Sequence, residues 1–217
     1  MVTMDKAELL EQIAKEVREC RKCELWKTRR NAVPGEGNPN AEIFFIGEAP
    51  GEQEDKQGRP FVGAAGKLLE KLLESIGLMR EDVFIGNVLK CRPPHNRDPT
   101  EEEVELCTPF LDRQILAIRP KMIVTLGRHS TRYMFSKVGV PFSSIMRVRG
   151  EPFEADVLGL RVVLFPTLHP AAALYNPRLR TLLEEDFKKI KKVADRGFSL
   201  SRREVKLDEF FKRARRA

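Results

Sequence analysis

What the 217 residues lack narrows the field first. No apolar run reaches the roughly 20 residues needed to cross a bilayer, and the opening MVTMDKAELLEQ has no apolar stretch of the kind a secretory leader carries. A helical membrane span is thereby set aside, and a cytoplasmic protein is expected. Asparagine and glutamine are scarce, whereas charged residues make up 33% of the chain, a balance that leans toward a heat-adapted source. No internal repeat is visible. An apolar content of 41% suffices for one good core, so a single folded domain is expected; the chain is also expected to act as a monomer.

An evenly basic surface is also missing. The net charge of +7 is concentrated at one end, where Lys188 to Ala217 hold 12 Lys or Arg against 4 Asp or Glu. The remainder is balanced, with 27 basic and 28 acidic residues. Such a tail binds phosphate by counterion release or is simply a solvated terminus. The high isoelectric point therefore describes the tail more than the core.

The hydrophobic pattern that is present alternates between two periods. DKAELLEQIAKEVREC is an amphipathic helix, and AEIFFIGEA reads as a buried strand. Helix AGKLLEKLLESIGL, strand DVFIGNVLKC and helix TEEEVELCTPFLDRQILAIR follow, the last opened by a Thr100/Glu103 capping box. KMIVTLG is a third strand and HSTRYMFSKVG a short helix; SIMRVRGEPFEADVLGLRVVLFPTLHP reads as a hairpin feeding a fourth core strand. PRLRTLLEEDFKKIKKVADRG closes the domain as a helix with Pro177 near its start. Strands alternating with helices predict an α/β fold with a mostly parallel, four-stranded central sheet covered on both faces. The domain is expected over residues 1–196, with 197–217 as a basic tail.

Open parallel sheets bind ligands beyond the carboxyl ends of their strands. Three unusual stretches fall there: GEAPGEQED after the first strand, Asn87 late in the second, and LHPAAALYNP after the fourth. A glycine-rich turn between strand and helix ordinarily suggests a phosphate cradle. This one carries Glu48, Glu52, Glu54 and Asp55, which would repel a phosphate.

The cysteines form a second constellation. Cys20 and Cys23 make a C-x2-C at the end of the first helix, while Cys91 ends a strand and Cys107 lies inside a helix. Disulfides are disfavoured in a reducing cytosol, and the close pair suits two ligands of one metal centre. Four thiolates hold either tetrahedral zinc or an iron-sulfur cluster, and spacing alone does not separate them.

Taken together, GEAPGEQED, GRPFVGAAG, NVLKCRPPHNRDP, LGRHS and HPAAALYNP, with the four cysteines, closely resemble the family 4 uracil-DNA glycosylases, the iron-sulfur-containing, thermostable branch of that superfamily. The resemblance runs from about Cys20 to Phe187. It implies a three-layer α/β/α sandwich, a [4Fe-4S] cluster on Cys20, Cys23, Cys91 and Cys107, and hydrolysis of the uracil–deoxyribose bond in DNA by flipping out the base. It also implies roles within the cleft. Phe61 matches the aromatic that stacks on uracil, Asn87 reads its O4 and N3 edge, and Glu54 stands as a wall against the thymine methyl. The turn Gly47-Glu48-Ala49 approaches the base, and His169 matches the histidine that hydrogen-bonds O2 as charge develops on the leaving base. By comparison, the best-known uracil-DNA glycosylases carry Asp in their first motif where this chain has Ala49, which leaves Glu48 as the candidate carboxylate for the attacking water and the cation-like sugar.

DNA would be held at the rim. Leu174 and Tyr175 are candidates to wedge into the minor groove, and Arg92, Arg97, Arg147, Arg149 and Arg178 are candidate phosphate contacts. In the tail, Leu207, Phe210 and Phe211 reproduce the hydrophobic spacing of a PCNA-interacting peptide, with Glu204 where such peptides usually begin with Gln. A sliding clamp is thus an expected partner. Two rival readings are a non-catalytic metal-containing nucleic-acid module and a metal-dependent nuclease using Glu48, Glu54, Asp55 and His169 as ligands.

Overall fold

The computed structural model describes residues 5–200. Helix α1 (Lys6–Glu19) opens it. Asp5 caps α1 by accepting from the Ala7 and Glu8 amides while Glu8 accepts from the Asp5 amide, which satisfies N–H groups that a helix start leaves without partners. Then come β1 (Glu36–Gly37), β2 (Ile43–Gly47), α2 (Glu52–Gln57), α3 (Ala64–Ser75), β3 (Phe84–Asn87) and α4 (Glu101–Ile118). The second half holds β4 (Met122–Leu126), α5 (Arg128–Lys137), α6 (Ile145–Val148), β5 (Phe153–Val157), β6 (Leu160–Thr167), α7 (Pro170–Ala173) and α8 (Pro177–Asp195). Thr100 and Glu103 form the capping box of α4.

The described strands form one sheet in the order β1-β3-β2-β4-β6-β5. The four inner strands β3, β2, β4 and β6 are parallel and match the expected core. The expected count of four falls short, because β1 and β5 add antiparallel edges to make six strands. Two-residue β1 is too short to show any periodicity. β5 is the first arm of the expected hairpin and pairs with β6 from Phe153 opposite Leu164 to Val157 opposite Leu160.

The pleat sorts alternate residues to opposite faces. Phe44, Ile46, Ile123 and Leu164 pack with Leu111 and Ile115 of α4 and Met134 and Phe135 of α5, while α1 adds Leu10 to the same layer. Ile43, Phe45, Val124 and Phe165 pack on the other side with Leu69, Leu72 and Leu73 of α3 and Leu183, Phe187 and Ile190 of α8. Strands covered on both faces read as unbroken apolar runs, which explains IFFI and MIV. The result is a three-layer α/β/α sandwich. Full burial of each such side chain contributes about 1.5–3 kcal/mol, so both layers are needed to offset the entropy of ordering the chain. A smaller cluster lies to one side, where Ile13, Val17, Leu25, Leu89 and Phe110 surround Cys91 and Cys107. Arg113 of α4 pairs with Glu16 of α1 and holds the first helix against this region.

Candidate active site

Strand β2 ends at Gly47, β3 at Asn87, and β6 runs out through Leu168 to His169. A cleft of about 290 Å³ opens over these carboxyl ends, lined by Glu48, Ala49, Glu54, Phe61, Asn87 and His169. The fold thus draws together residues up to 121 positions apart in the chain. Pro50, Gly51, Ala65, Pro93, Asn96, Arg97 and Ala171 complete the wall. A larger groove of about 520 Å³ between α4 and α5 contains none of the strand-end residues.

Gly47 is buried and does not itself line the cleft, but nothing larger fits beneath Asn87 and Phe61 at this position. A Cβ there would stand 2.4 Å from Asn87 Oδ1 and 2.6 Å from the Phe61 ring. Phe61 is buried, and its ring centroid lies 5.6 Å from that of His169 with the planes inclined by 28°. Glu54 fixes the turn bearing Phe61. One carboxylate oxygen accepts from the Val62 and Gly63 amides, both at 2.8 Å, and the other from Gly51 at 3.1 Å. The α2 start and the Phe61 turn are therefore tied by a single carboxylate, a task its place in the sequence does not reveal.

Asn87 is almost wholly buried, and among the described residues its Oδ1 is the buried side-chain atom without a hydrogen-bond partner. A buried carbonyl left unpaired costs on the order of 1–3 kcal/mol, so an orphan at the floor of a cleft marks a place for a donor. Buried Lys90 steadies the main chain beneath it. The Lys90 ammonium donates to the Asn87 carbonyl at 2.9 Å and to Gln114 Oε1 at 2.7 Å, and burial pushes its pKa down to about 8.

His169 caps α7. Its Nδ1 accepts from the Ala171 amide at 3.1 Å, which places the hydrogen of a neutral imidazole on Nε2. Burial drives its pKa down to about 4 against the opposing pull of the Glu54 charge, so the ring is neutral at ordinary pH. His169 is thus set up as a neutral donor rather than a cation.

Glu48 sits partly buried at the cleft wall, and its main-chain carbonyl accepts from the Leu89 amide at 2.9 Å. Burial raises its carboxyl above the usual carboxylate range, the Asp98 charge adds to this, and Arg128 opposes it. His129 Nε2 lies 3.8 Å from the Glu48 carboxylate and 3.4 Å from Asp98. Among the described residues, Glu48, Asp98 and His129 are the acidic and imidazole groups close enough to share an ion. Arg128 already joins them, since its guanidinium donates to both His129 Nε2 and Asp98. LGRHS carried part of this cluster in plain view, but no spacing rule connects it to Asp98. The four ligands of the nuclease reading do not converge: Glu54 holds three amides, and buried Asp55 accepts from Arg30 and Asn31.

All four cysteines are free thiols, with Cys91 and Cys107 buried and Cys20 and Cys23 partly so. Burial raises the thiols of Cys23 and Cys91 and pushes Cys107 up to about 12. Arg29 donates to Cys91 Sγ at 3.0 Å and the Lys90 amide to Cys107 Sγ at 3.2 Å, contacts that suit sulfur carrying negative charge.

The candidate DNA contacts differ in their surroundings. Arg149 grips buried Asp186 and the Leu182 carbonyl, Arg97 pairs with Glu103, and Arg92 donates to Asn96. Arg147 and Arg178 are exposed. Leu174 packs partly against the core, whereas Tyr175 is 92% exposed. Leu207, Phe210 and Phe211 lie outside the described residues. No described helix is long and apolar enough to cross a membrane.

The model of the uracil DNA glycosylase superfamily matches residues 34–193, a span that includes every cleft residue named above and two of the four cysteines. The type-4 uracil-DNA glycosylase of Sulfurisphaera tokodaii is 63% identical over 186 residues, covering 85% of this chain and 84% of the relative. That of Saccharolobus solfataricus is 58% identical, covering 93% and 91%, and that of Archaeoglobus fulgidus is 56% identical, covering 84% and 92%. On these matches the chain belongs to the uracil DNA glycosylase superfamily, and within it to the type-4 uracil-DNA glycosylases.

Proposed function

We propose that the chain removes uracil from DNA by hydrolysing the bond between the base and deoxyribose, leaving an abasic site. The observation that carries this reading is the buried, unpartnered Oδ1 of Asn87 beside Phe61. Uracil N3–H is the donor that oxygen lacks, and the amide nitrogen complements O4. Cytosine reverses both groups and would leave the amide mispaired in a buried place, which is how a polar site rejects an analogue. Phosphate has no donor to offer, in keeping with a carboxylate-rich loop. The type-4 uracil-DNA glycosylases named above support the same assignment.

The base reaches the cleft only after leaving the duplex. Leu174 and exposed Tyr175, just beyond His169, fill the space it vacates, and Arg92, Arg97, Arg147 and Arg178 near the cleft or on the surface are the proposed phosphate contacts. Uracil then lies on the Phe61 ring with Asn87 at its N3/O4 edge and Nε2–H of His169 at O2. Glu54 forms the wall beside C5 that excludes a methyl group. As the C1′–N1 bond breaks, its electron pair passes to uracil and the sugar becomes cationic. The His169 bond strengthens with that charge, while Glu48 stabilises the sugar and positions water, which adds to C1′ and releases its proton to the carboxylate.

For the cysteines we propose a [4Fe-4S] cluster. The Arg29 guanidinium on Cys91 and the Lys90 amide on Cys107 suit thiolate ligands, and the resemblance to the iron-sulfur-containing glycosylases favours the cluster over a lone zinc ion. The cluster would cross-link the α1 end, the β3 exit and α4 in a structural role. We further propose that residues 1–196 act as the catalytic domain and that the tail, through Leu207, Phe210 and Phe211, engages a sliding clamp, on the strength of the hydrophobic spacing.

The test is incubation of the purified protein with a labelled oligonucleotide containing one uracil, followed by alkali. Cleavage at uracil alone, undiminished in a chelator of divalent ions, is the expected outcome; no uracil-dependent cleavage would overturn the proposal.

A further inference from the structure

Phe61 is held at φ 52°, in the left-handed region that suits glycine. A bulky side chain there costs on the order of 1–3 kcal/mol unless its surroundings impose the conformation. Glu54 grips the amides after Phe61, and a second clamp grips the carbonyls before and at it. Arg80, on the helical turn Arg80–Asp82 that precedes β3, reaches back to this turn. Its Nη1 donates to the Phe61 carbonyl at 3.0 Å, and its Nη2 donates to the Pro60 carbonyl. Its Nε donates to Glu36 on β1 at 2.6 Å, and Nη1 also approaches Glu70 at 3.3 Å. The other Glu36 oxygen accepts from Arg59 at 2.7 Å. Gly66 leaves room for the arrangement, since a Cβ there would stand 1.8 Å from the Phe61 carbonyl oxygen.

We infer that Arg80, seated by Glu36, is a positioning residue for base recognition: it locks the Pro60-Phe61 backbone so that the Phe61 ring stands ready beside His169 before uracil enters. This rests on the proposal that the cleft binds uracil. The side chain is suited to the task because a planar guanidinium reaches two adjacent carbonyls and a carboxylate in fixed directions, which an ammonium does not do at once. It is largely shielded from solvent, with 14% of its side chain exposed, and it does not line the cleft. Its effect is therefore exerted on affinity. A floor that had to be ordered at each encounter would weaken binding by the cost of ordering it.

The experiment compares Arg80→Met, Phe61→Ala and the double variant for uracil release well below their melting transitions. Arg80→Met is expected to raise KM about tenfold with a smaller change in kcat. In the Phe61→Ala background it is expected to add almost nothing, because the two residues act as one unit. Arg80→Lys should recover part of the loss. Hydrogen exchange at residues 58–66 is read alongside and should quicken in Arg80→Met. An unchanged KM in folded Arg80→Met, or an undiminished loss when Phe61 is already Ala, overturns the inference. If Arg80→Met does not fold, Glu36→Gln carries the same comparison, with the same pattern expected at smaller size. Absence of uracil release by the unaltered protein would instead overturn the functional proposal, and the exchange measurement would still decide whether Arg80 locks the turn.

Discussion

Replacement of His169 separates two jobs that one imidazole performs. Its Nδ1 accepts the Ala171 amide at the start of α7, and its Nε2–H is the proposed donor to the leaving base. Alanine abolishes both. Asparagine is among the preferred capping residues, so His169→Asn keeps an acceptor for Ala171 but is too short to replace Nε2 in the cleft. The capping bond is worth about 1 kcal/mol. A donor aimed at developing negative charge is worth roughly 2.7–4 kcal/mol, or about 10²–10³ in turnover. Single-turnover release from a uracil-containing oligonucleotide, with thermal melting of each variant, measures both effects. His169→Asn should melt near the unaltered protein and His169→Ala below it, while both lose about 10²–10³ in rate. A rate for either within about threefold of the unaltered protein would refute the role assigned to Nε2.

The pH dependence of turnover should report Glu48 rather than His169. Burial and the Asp98 charge raise the Glu48 carboxyl, and catalysis requires it ionised, so activity should fall as pH drops through a value above 4.5. Stability has the opposite sign: a group whose folded pKa is raised favours the protonated folded form, so the ionised carboxyl is a burden above its unfolded pKa. Glu48→Gln should therefore lose turnover, lose that acid limb, and melt at or above the unaltered protein at neutral pH. His169, neutral down to about 4, should contribute no inflection near its ordinary value of 6.5. For the cysteines, purified protein should be brown with a broad visible absorbance, and Cys107→Ala should lose the colour together with several degrees of melting temperature. A colourless, equally stable protein binding one zinc would refute the cluster.

Much of this was legible in the sequence because burial leaves a simple trace. IFFI and MIV announce strands covered on both faces, Thr100 and Glu103 mark a helix start, and Gly47, Asn87 and His169 fall where parallel strands end. What stayed hidden depends on contacts without local pattern. Edge strand β1 spans two residues, and α2 is six polar residues with buried Asp55 as its anchor. Glu54 reads as an exposed loop carboxylate until the fold delivers three amides to it. Arg149, which looks like a phosphate contact, instead neutralises Asp186 inside the domain, where Thr167 also donates to the same carboxylate at 2.6 Å. Likewise, nothing in RED at 80–82 hints that its arginine supports Phe61.

The central claim, that the cleft reads uracil through a preformed acceptor, is tested most directly by Asn87→Leu. Leucine keeps much of the volume and removes the orphan Oδ1, so melting temperature should hold or rise, because a buried unpaired polar atom is eliminated. Uracil release should fall by about 10²-fold or more, since the N3–H of the base then meets an apolar wall. A folded Asn87→Leu protein that releases uracil at the rate of the unaltered protein would contradict the account.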